Sequence, residues 1–241
     1  TSFQWRLVMC LACWIRVRKQ GFREAVRRVS EGGAKPKILI ANHTSMLDAI
    51  LLLSSAPGLA TRVKVFASGR LVKLPIVGAL VRSMGHLLVP FKTNSASEGM
   101  QVDKEEMAKQ QERLEKHVLA GGIAAWFPEG TLNRGDPIVP GQFRAGGFVL
   151  PARIDVEIWG IAFVGPSDCW PSTQKFGGLP SLVCANMFQI HPSSHELLST
   201  EQGGPGLEDE REASIYLAEY CRRTITAEVE RIWAEVVPAK E

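Results

Sequence analysis

His43 and Asp48 are the two residues of this chain whose types and spacing are best suited to chemistry. They lie in the run Asn42-His43-Thr44-Ser45-Met46-Leu47-Asp48. An aspartate five residues after a histidine, across the first turn of a helix, can orient the imidazole ring and stabilise the imidazolium. Such a histidine is a general base for a hydroxyl or a water molecule. Because no serine or cysteine nucleophile is obvious beside it, we expect the hydroxyl to belong to the substrate.

The same residues also have a purely structural interpretation. Ser45 and Asp48 have the spacing of a capping box, in which Asp48 only satisfies an N–H group at the start of a helix. A lone histidine between a strand and a helix is more often a packing residue than a catalytic one. The seven residues alone leave both interpretations open.

A second stretch, Ala124 to Thr131, would present an acid at the end of a buried strand. Pro128 ends the strand, and Gly130 allows backbone conformations that are closed to other residues. Glu129 is then presented at a strand end, where open α/β sheets build their sites. The alternative is a turn that carries a surface acid.

The elements that position these residues alternate between strand and helix over the first 165 residues. The predicted strands are 37–41, 63–67, 87–89, 123–127 and 156–164, and the predicted helices are 45–55, 71–84 and 102–119. This alternation predicts an α/β fold, a single domain with a mostly parallel or mixed sheet covered by helices. Sequence rich in Pro, Gly and Ser fills most of 165–206, and no strand or helix is predicted there. An apolar stripe over 209–236 predicts a C-terminal amphipathic helix.

The N-terminal segment differs in composition from the rest of the chain. Residues 1–37 hold nine Lys or Arg and two Glu, whereas the whole protein has a net charge of only +3. The apolar run from Leu7 to Ile15 is too short to cross a bilayer, which takes roughly 20 residues. With Trp5 and Trp14 beside cationic residues, it predicts an N-terminal interfacial helix on anionic lipid. The alternative is a core helix with a solvated basic face.

Composition and cysteine usage exclude several other classes. The chain is 45% hydrophobic and 22% charged, as in globular proteins. Five scattered cysteines favour reduced thiols in an intracellular compartment. No nucleic-acid-binding motif accompanies the basic segment, so we expect no nucleic acid partner. His191 and His195 enclose a proline without an acidic partner, so we expect loop there and no metal site.

The two stretches together resemble the glycerolipid acyltransferases, which include the 1-acylglycerol-3-phosphate and lysophospholipid acyltransferases. That family carries N-H-x4-D as its first block and F-P-E-G-T as its third, and both are intact here in Asn42–Asp48 and Phe127–Thr131. Leu74–Gly78 is similar to the second block, and Gln142–Gly146 to the basic segment downstream of the third. The resemblance covers roughly residues 35–165. It implies an acyltransferase domain at 35–241, with its motif core at 35–165, a C-terminal extension at 166–241 and a membrane-surface segment at 1–34.

The resemblance implies transfer of a fatty acyl chain from acyl-CoA to a free hydroxyl of a lysophospholipid, a step of phospholipid biosynthesis. His43 would be the general base steered by Asp48, and backbone N–H groups near Gly130 or at the helix start would bind the oxyanion. Contacts to the substrate are expected from Asn42, Glu129, Gly130 and Thr131. Contacts to phosphate are expected from Arg70, Lys73, Lys92, Arg134 and Arg144. No metal and no cofactor is expected, since acyl-CoA is a co-substrate.

Four positions depart from the pattern of the family. Lys92 stands where an arginine is usual, Ser68 where a lysine is common, Leu132-Asn133-Arg134 where Arg-Ser often follows, and Gly160 where a proline is usual. The acceptor therefore stays open between lysophosphatidic acid and a phosphodiester such as lysophosphatidylcholine or lysophosphatidylethanolamine.

Other activities and the location of the protein also stay open. The alternatives are transacylation from a phospholipid, an acyl carrier protein as donor, glycerol-3-phosphate acylation, thioester hydrolysis and a catalytically silent lipid-binding module. The expected location is an intracellular membrane surface, in the endoplasmic reticulum or plastid of a eukaryote or the cytoplasmic membrane of a bacterium.

Overall fold

The computed structural model describes residues 14–31, 33, 35–55, 59, 62–68, 82, 85–90, 103–174 and 177–236. Several sequence predictions lie outside these residues. They are the apolar run before Trp14, the predicted helix 71–84 and the phosphate-contact candidates Arg70, Lys73 and Lys92.

The described strands form one mixed sheet of seven, in the order β1-β7-β6-β2-β5-β3-β4. They are β1 (Ile15–Gln20), β2 (Lys37–Ala41), β3 (Val63–Ser68), β4 (Leu87–Val89), β5 (Ile123–Trp126), β6 (Glu157–Val164) and β7 (Ser181–His191). The pair β6 and β7 is antiparallel, and every other pair is parallel. The predicted α/β fold with a mixed sheet covered by helices is confirmed.

Helices cover both faces of this sheet. They are α1 (Phe22–Ser30), α2 (Met46–Ser55), α3 (Lys104–Leu119), α4 (Val149–Arg153), α5 (Pro166–Cys169), α6 (Ser194–Leu198) and α7 (Glu210–Val236), with 3-10 turns at Ala145–Phe148 and Thr200–Gln202. One face packs mainly against α3, α4 and α7, and the other against α1 and α2. In the part of the chain that the structure describes, no helix is both long and apolar enough to cross a membrane.

Strand β2 lies inside the sheet and is buried along its whole length. It runs parallel to β6 on one side and to β5 on the other. A parallel strand buried on both faces favours an uninterrupted apolar run, which explains the sequence Ile38 to Ala41. Because Ile40 pairs with Trp126, the ends of β2 and β5 lie side by side. The two sequence blocks that follow these strands therefore meet at the carboxyl ends of two interior strands.

The segment 165–206, in which the sequence predicted no strand or helix, contains the longest strand of the described sheet, Ser181–His191. Both faces of β7 are buried, so its residues do not alternate between apolar and polar as a half-exposed strand would. Val183 and Ala185 pack on one face of the sheet, and Cys184 and Ile190 on the other. The sequence prediction missed β7 because the turn residues around it dominate the composition of the segment.

The N-terminal segment contributes an edge strand in place of the expected helix at its described end. Ile15 and Val17 face the core, whereas Arg16 and Arg18 are exposed. This alternation is the period of a strand, and β1 pairs in parallel with β7. Within the segment 1–34, residues 15–20 therefore belong to the sheet, and α1 packs against its face through Phe22, Ala25 and Val29.

Candidate active site

Asn42 is the first residue after β2 and is fully buried. Its side-chain amide donates to the carbonyl of Phe163 at 2.9 Å and accepts the N–H of the same residue at 2.8 Å. The amide thus extends the pairing of β2 with β6 by one step. We assign Asn42 to positioning the loop, in place of the substrate contact expected from the sequence, because burial keeps it from a ligand.

The side chains of His43 and Asp48 meet across the start of α2. His43 Nδ1 lies 3.1 Å from Asp48 Oδ2. The Asp48 side chain is fully buried, whereas 16% of the His43 side chain is exposed. Because Nδ1 faces a carboxylate, we assign the ring proton to Nδ1, which leaves Nε2 to accept a proton.

Asp48 also satisfies the backbone at the start of α2. Its Oδ2 accepts the N–H groups of Thr44 at 2.7 Å and of Ser45 at 2.8 Å. Burial raises the pKa of the Asp48 carboxyl above its ordinary value, and the hydrogen bonds from His43, Ser45 and Thr44 act in the opposite direction. One carboxylate therefore both caps the helix and bonds the imidazole, so the two sequence interpretations are compatible.

The turn after β5 contacts His43 from the other side. The Phe127 ring stacks on the imidazole, with centroids 3.9 Å apart and planes 13° apart. The carboxylate of Glu129 accepts the backbone N–H of His43 at 2.6 Å and that of Gly141 at 2.8 Å. The N–H of Asn133 donates to the His43 carbonyl at 2.7 Å. The third sequence block therefore contacts the first through both backbone and ring.

Glu129 is buried, with 5% of its surface exposed. Burial raises the pKa of its carboxyl above the ordinary value, while the N–H groups of His43 and Gly141 lower it. Each carboxylate oxygen already accepts a backbone N–H. This side chain therefore joins the turn to the backbone of His43 and Gly141, and its contact to substrate stays a prediction.

Gly130 has a positive φ of 71°, a conformation that side-chain-bearing residues rarely adopt. A Cβ at this position would also lie 2.7 Å from Arg144 Nε. That nitrogen donates to the carbonyl of Glu129 at 3.1 Å. Gly130 thus allows the turn and leaves room for the Arg144 side chain to donate to the Glu129 carbonyl.

An open groove with a volume of about 620 Å³ lies beside this turn, and we call it the basic groove. Residues from three segments line it, including Thr131, Asn133, Arg134, Gly141, Arg144, Ile215, Ala218 and Glu219. Arg134 and Arg144 are exposed, and neither forms an ion pair with a carboxylate of the described residues. Glu219 instead pairs with Arg222 at 2.9 Å. Two guanidinium groups without acidic partners are suited to binding a phosphate.

The structure thus brings most of the described candidate site residues together at the carboxyl ends of β2 and β5. Glu129, Thr131, Arg134 and Arg144 line the basic groove. Among the described residues there is no cluster of His, Cys, Asp or Glu that could hold a metal ion.

Sequence reasoning missed the backbone contacts of Asn133 and Gly141 and the stacking of Phe127. Pro140-Gly141 carried a usable signal, because such a pair marks a turn. The N–H groups expected to bind an oxyanion are engaged elsewhere: those of Thr44 and Ser45 by Asp48, and that of Gly130 by the carbonyl of Phe127. That expectation is therefore corrected for these three donors.

A family model described as "Acyltransferase" matches residues 15–164, which is more than half of the chain. The chain belongs to the acyltransferase family. The match begins with the first residue of β1 and ends with the last residue of β6, so both sequence blocks lie inside it. Strand β7 and helix α7, which supplies one wall of the basic groove, lie beyond it.

Named relatives of this acyltransferase carry the same kind of description. The chain is 24% identical to human 1-acyl-sn-glycerol-3-phosphate acyltransferase beta over 151 residues, which are 62% of this chain and 48% of that protein. It is 26% identical to a 1-acyl-sn-glycerol-3-phosphate acyltransferase of Chlamydomonas reinhardtii over 141 residues, which are 58% of this chain and 38% of that protein. The match therefore spans about half or less of the length of these curated relatives.

A solved structure shares the fold of this acyltransferase. The crystal structure of the 1-acyl-sn-glycerophosphate acyltransferase PlsC from Thermotoga maritima is similar with a TM-score of 0.59 and 18% sequence identity. The similarity covers 94% of this chain and 75% of that one. The resemblance to glycerolipid acyltransferases, first drawn from two short blocks, is confirmed.

Proposed function

We propose that this protein transfers a fatty acyl chain from acyl-CoA to a free hydroxyl of a lysophospholipid, with 1-acylglycerol-3-phosphate as the acceptor. The observation that carries the proposal is the pair His43 and Asp48, whose side chains meet at a strand end next to the basic groove. The family supplies the class of reaction, and the geometry supplies a base for it.

In this mechanism Nε2 of His43 takes the proton of the acceptor hydroxyl. The hydroxyl oxygen attacks the thioester carbonyl carbon, and a new ester bond forms as the carbon–sulfur bond breaks. The imidazolium then returns its proton to the leaving thiolate of CoA. The buried carboxylate of Asp48 stabilises the imidazolium between these two steps, because opposite charges attract strongly away from water.

The acceptor's phosphate would lie in the basic groove against Arg134 and Arg144. Two cationic groups without acidic partners favour a doubly charged phosphate monoester over a phosphodiester. The printed names of the human and Chlamydomonas relatives agree with that choice, since both act on a glycerol 3-phosphate derivative. This supports lysophosphatidic acid among the acceptors that the sequence left open.

We also propose that the protein works at the surface of an intracellular membrane, because its acceptor and product are amphiphiles. Trp14, Leu179 and Leu182 are exposed near the edge strand β1, where Arg16 and Arg18 are exposed as well. Apolar side chains beside cations fit the interface of an anionic bilayer.

The activity can be tested with the purified chain, radiolabelled acyl-CoA and a panel of acceptors. The panel contains 1-acylglycerol-3-phosphate, lysophosphatidylcholine, lysophosphatidylethanolamine and glycerol 3-phosphate, and the products are identified by lipid mass spectrometry. We expect diacylated phosphatidic acid as the main product. Release of free fatty acid alone would indicate a hydrolase, and transfer only from added phospholipid would indicate a transacylase. Either result, or no turnover of any acceptor, would contradict the proposal.

A further inference from the structure

We propose that Glu129 is a positioning residue that fixes the backbone of the general base. The inference rests on the proposed function for its kinetic part only. Its basis is the geometry of the carboxylate, which joins two chain segments. One oxygen accepts the His43 N–H at 2.6 Å, and the other accepts the Gly141 N–H at 2.8 Å.

These bonds occupy the carboxylate inside the protein. Glu129 is 5% exposed, and it lies in the wall of the basic groove. Hydrogen bonds from N–H groups to an ionised carboxylate are roughly twice as strong as neutral ones. Removing the carboxylate would leave both backbone N–H groups without their partner.

The bond from His43 to Glu129 completes a set of contacts that leaves Nε2 as the reactive atom. The backbone N–H of His43 donates to Glu129, its carbonyl accepts from Asn133, and its Nδ1 bonds Asp48. The Phe127 ring stacks on one face of the imidazole. Catalysis by a base depends on such placement, since a displacement of about 1 Å can cost about 10²-fold in rate.

Gly141 offers a way to disturb this arrangement without removing the charge. A Cβ at Gly141 would lie 2.8 Å from Glu129 Oε2, which is closer than carbon and oxygen tolerate. The backbone of Gly141 does not have a positive φ, so alanine is compatible with its conformation. Gly141→Ala therefore displaces the carboxylate by steric contact and keeps its charge. Glu129→Gln removes the charge and replaces one acceptor oxygen by an N–H₂ group.

Steady-state kinetics with acyl-CoA and 1-acylglycerol-3-phosphate separate positioning from substrate binding. We expect Glu129→Gln and Gly141→Ala each to lower kcat, by about 10²-fold for the former, and to change KM for the acceptor much less, although both positions line the basic groove. The double variant should fall little further than Glu129→Gln, because both changes break the same contact. Glu201→Gln, which alters an exposed carboxylate far from the site, should behave as the wild type. A raised acceptor KM with kcat retained would overturn the proposal.

A second readout does not depend on activity. Labelling with ¹⁵N-histidine gives backbone amide signals from only five residues. The His43 amide proton, identified by its loss in His43→Gln, should resonate at low field because it donates to a carboxylate. It should move to higher field in Glu129→Gln and Gly141→Ala, while the signals of the other four histidines stay in place. An unchanged His43 signal would overturn the inference, even if the wild type transferred no acyl chain.

Discussion

At the scale of single residues, the site is defined by which atoms of His43 are already bonded. Its Nδ1 bonds Asp48, its backbone N–H donates to Glu129, and its carbonyl accepts from the N–H of Asn133. The sequence identified His43, Asp48 and Glu129 because their types and spacing are unusual. It could not assign Glu129 and Asn42 to backbone contacts, because their partners lie 86 and 121 positions away along the chain.

Replacing Asp48 tests the pairing with His43. Asp48→Asn keeps the size of the side chain and an oxygen for the N–H groups of Thr44 and Ser45, but it removes the charge that stabilises the imidazolium. We expect kcat to fall by about 10²- to 10⁴-fold, the usual contribution of general acid–base catalysis. Stopped assays at saturating acyl-CoA measure it, and a kcat within a few-fold of the wild type would contradict the role of the carboxylate.

The same substitution has an expected effect on stability that depends on pH. Burial raises the pKa of the folded Asp48 above its ordinary value of 3.8. The stabilisation linked to its proton is therefore fully present below pH 3.8 and is lost as the pH rises through the raised folded value. Urea unfolding of wild type and Asp48→Asn at several pH values should show the wild type losing stability relative to the variant over that window. The opposite trend would mean that the carboxylate is stabilised as an anion.

At the scale of elements, helix α7 is the part of the groove that lies outside the family match. Its stripe was readable from the sequence, because Ala218, Ile225, Val229 and Ile232 recur at helical spacing and are buried. Strand β7 was not readable in the same way, because both of its faces are buried. The sequence placed Ile215 on the same stripe, which was wrong, because its side chain is exposed and lines the groove.

Ile215 gives a prediction for the wall that α7 contributes. Its side chain is 51% exposed, so Ile215→Ser should leave the fold intact. We expect KM for 1-acylglycerol-3-phosphate to rise several-fold, because each CH₂ group that a ligand buries contributes about 0.8 kcal/mol. Leu119→Ser, at an equally exposed position at the end of α3, is the matched control. Equal KM values for the two variants would show that α7 does not contact the acceptor.

At the scale of the whole molecule, the basic N-terminal segment forms an edge of the sheet. Composition revealed its charge, and the alternation of Ile15 and Val17 with arginines was a strand signal that the apolar run before it obscured. In the register of β1 with β7, Arg16 lies beside Leu182, and the Trp14 indole donates to the carbonyl of Gly178. The exposed cations and apolar groups are therefore contiguous.

This edge predicts binding to anionic lipid. Arg16→Ser/Arg18→Ser should weaken partition of the full chain onto vesicles of phosphatidylserine and phosphatidylcholine, by about fivefold for each charge, because each contributes about 1 kcal/mol near such a surface. Arg113→Ser/Arg211→Ser removes two exposed charges away from β1 and should leave partition unchanged. Equal partition of the two double variants, measured by vesicle sedimentation, would argue against this edge as the contact surface.

The central claim is that His43 is the base of an acyl transfer, and its direct test is the rate of the alanine variant. His43→Ala should transfer acyl chains from acyl-CoA to 1-acylglycerol-3-phosphate with a kcat about 10²- to 10⁴-fold below the wild type. His191→Ala, at the end of the strands opposite to the site, should keep the wild-type rate. Transfer by His43→Ala at the wild-type rate would contradict the account.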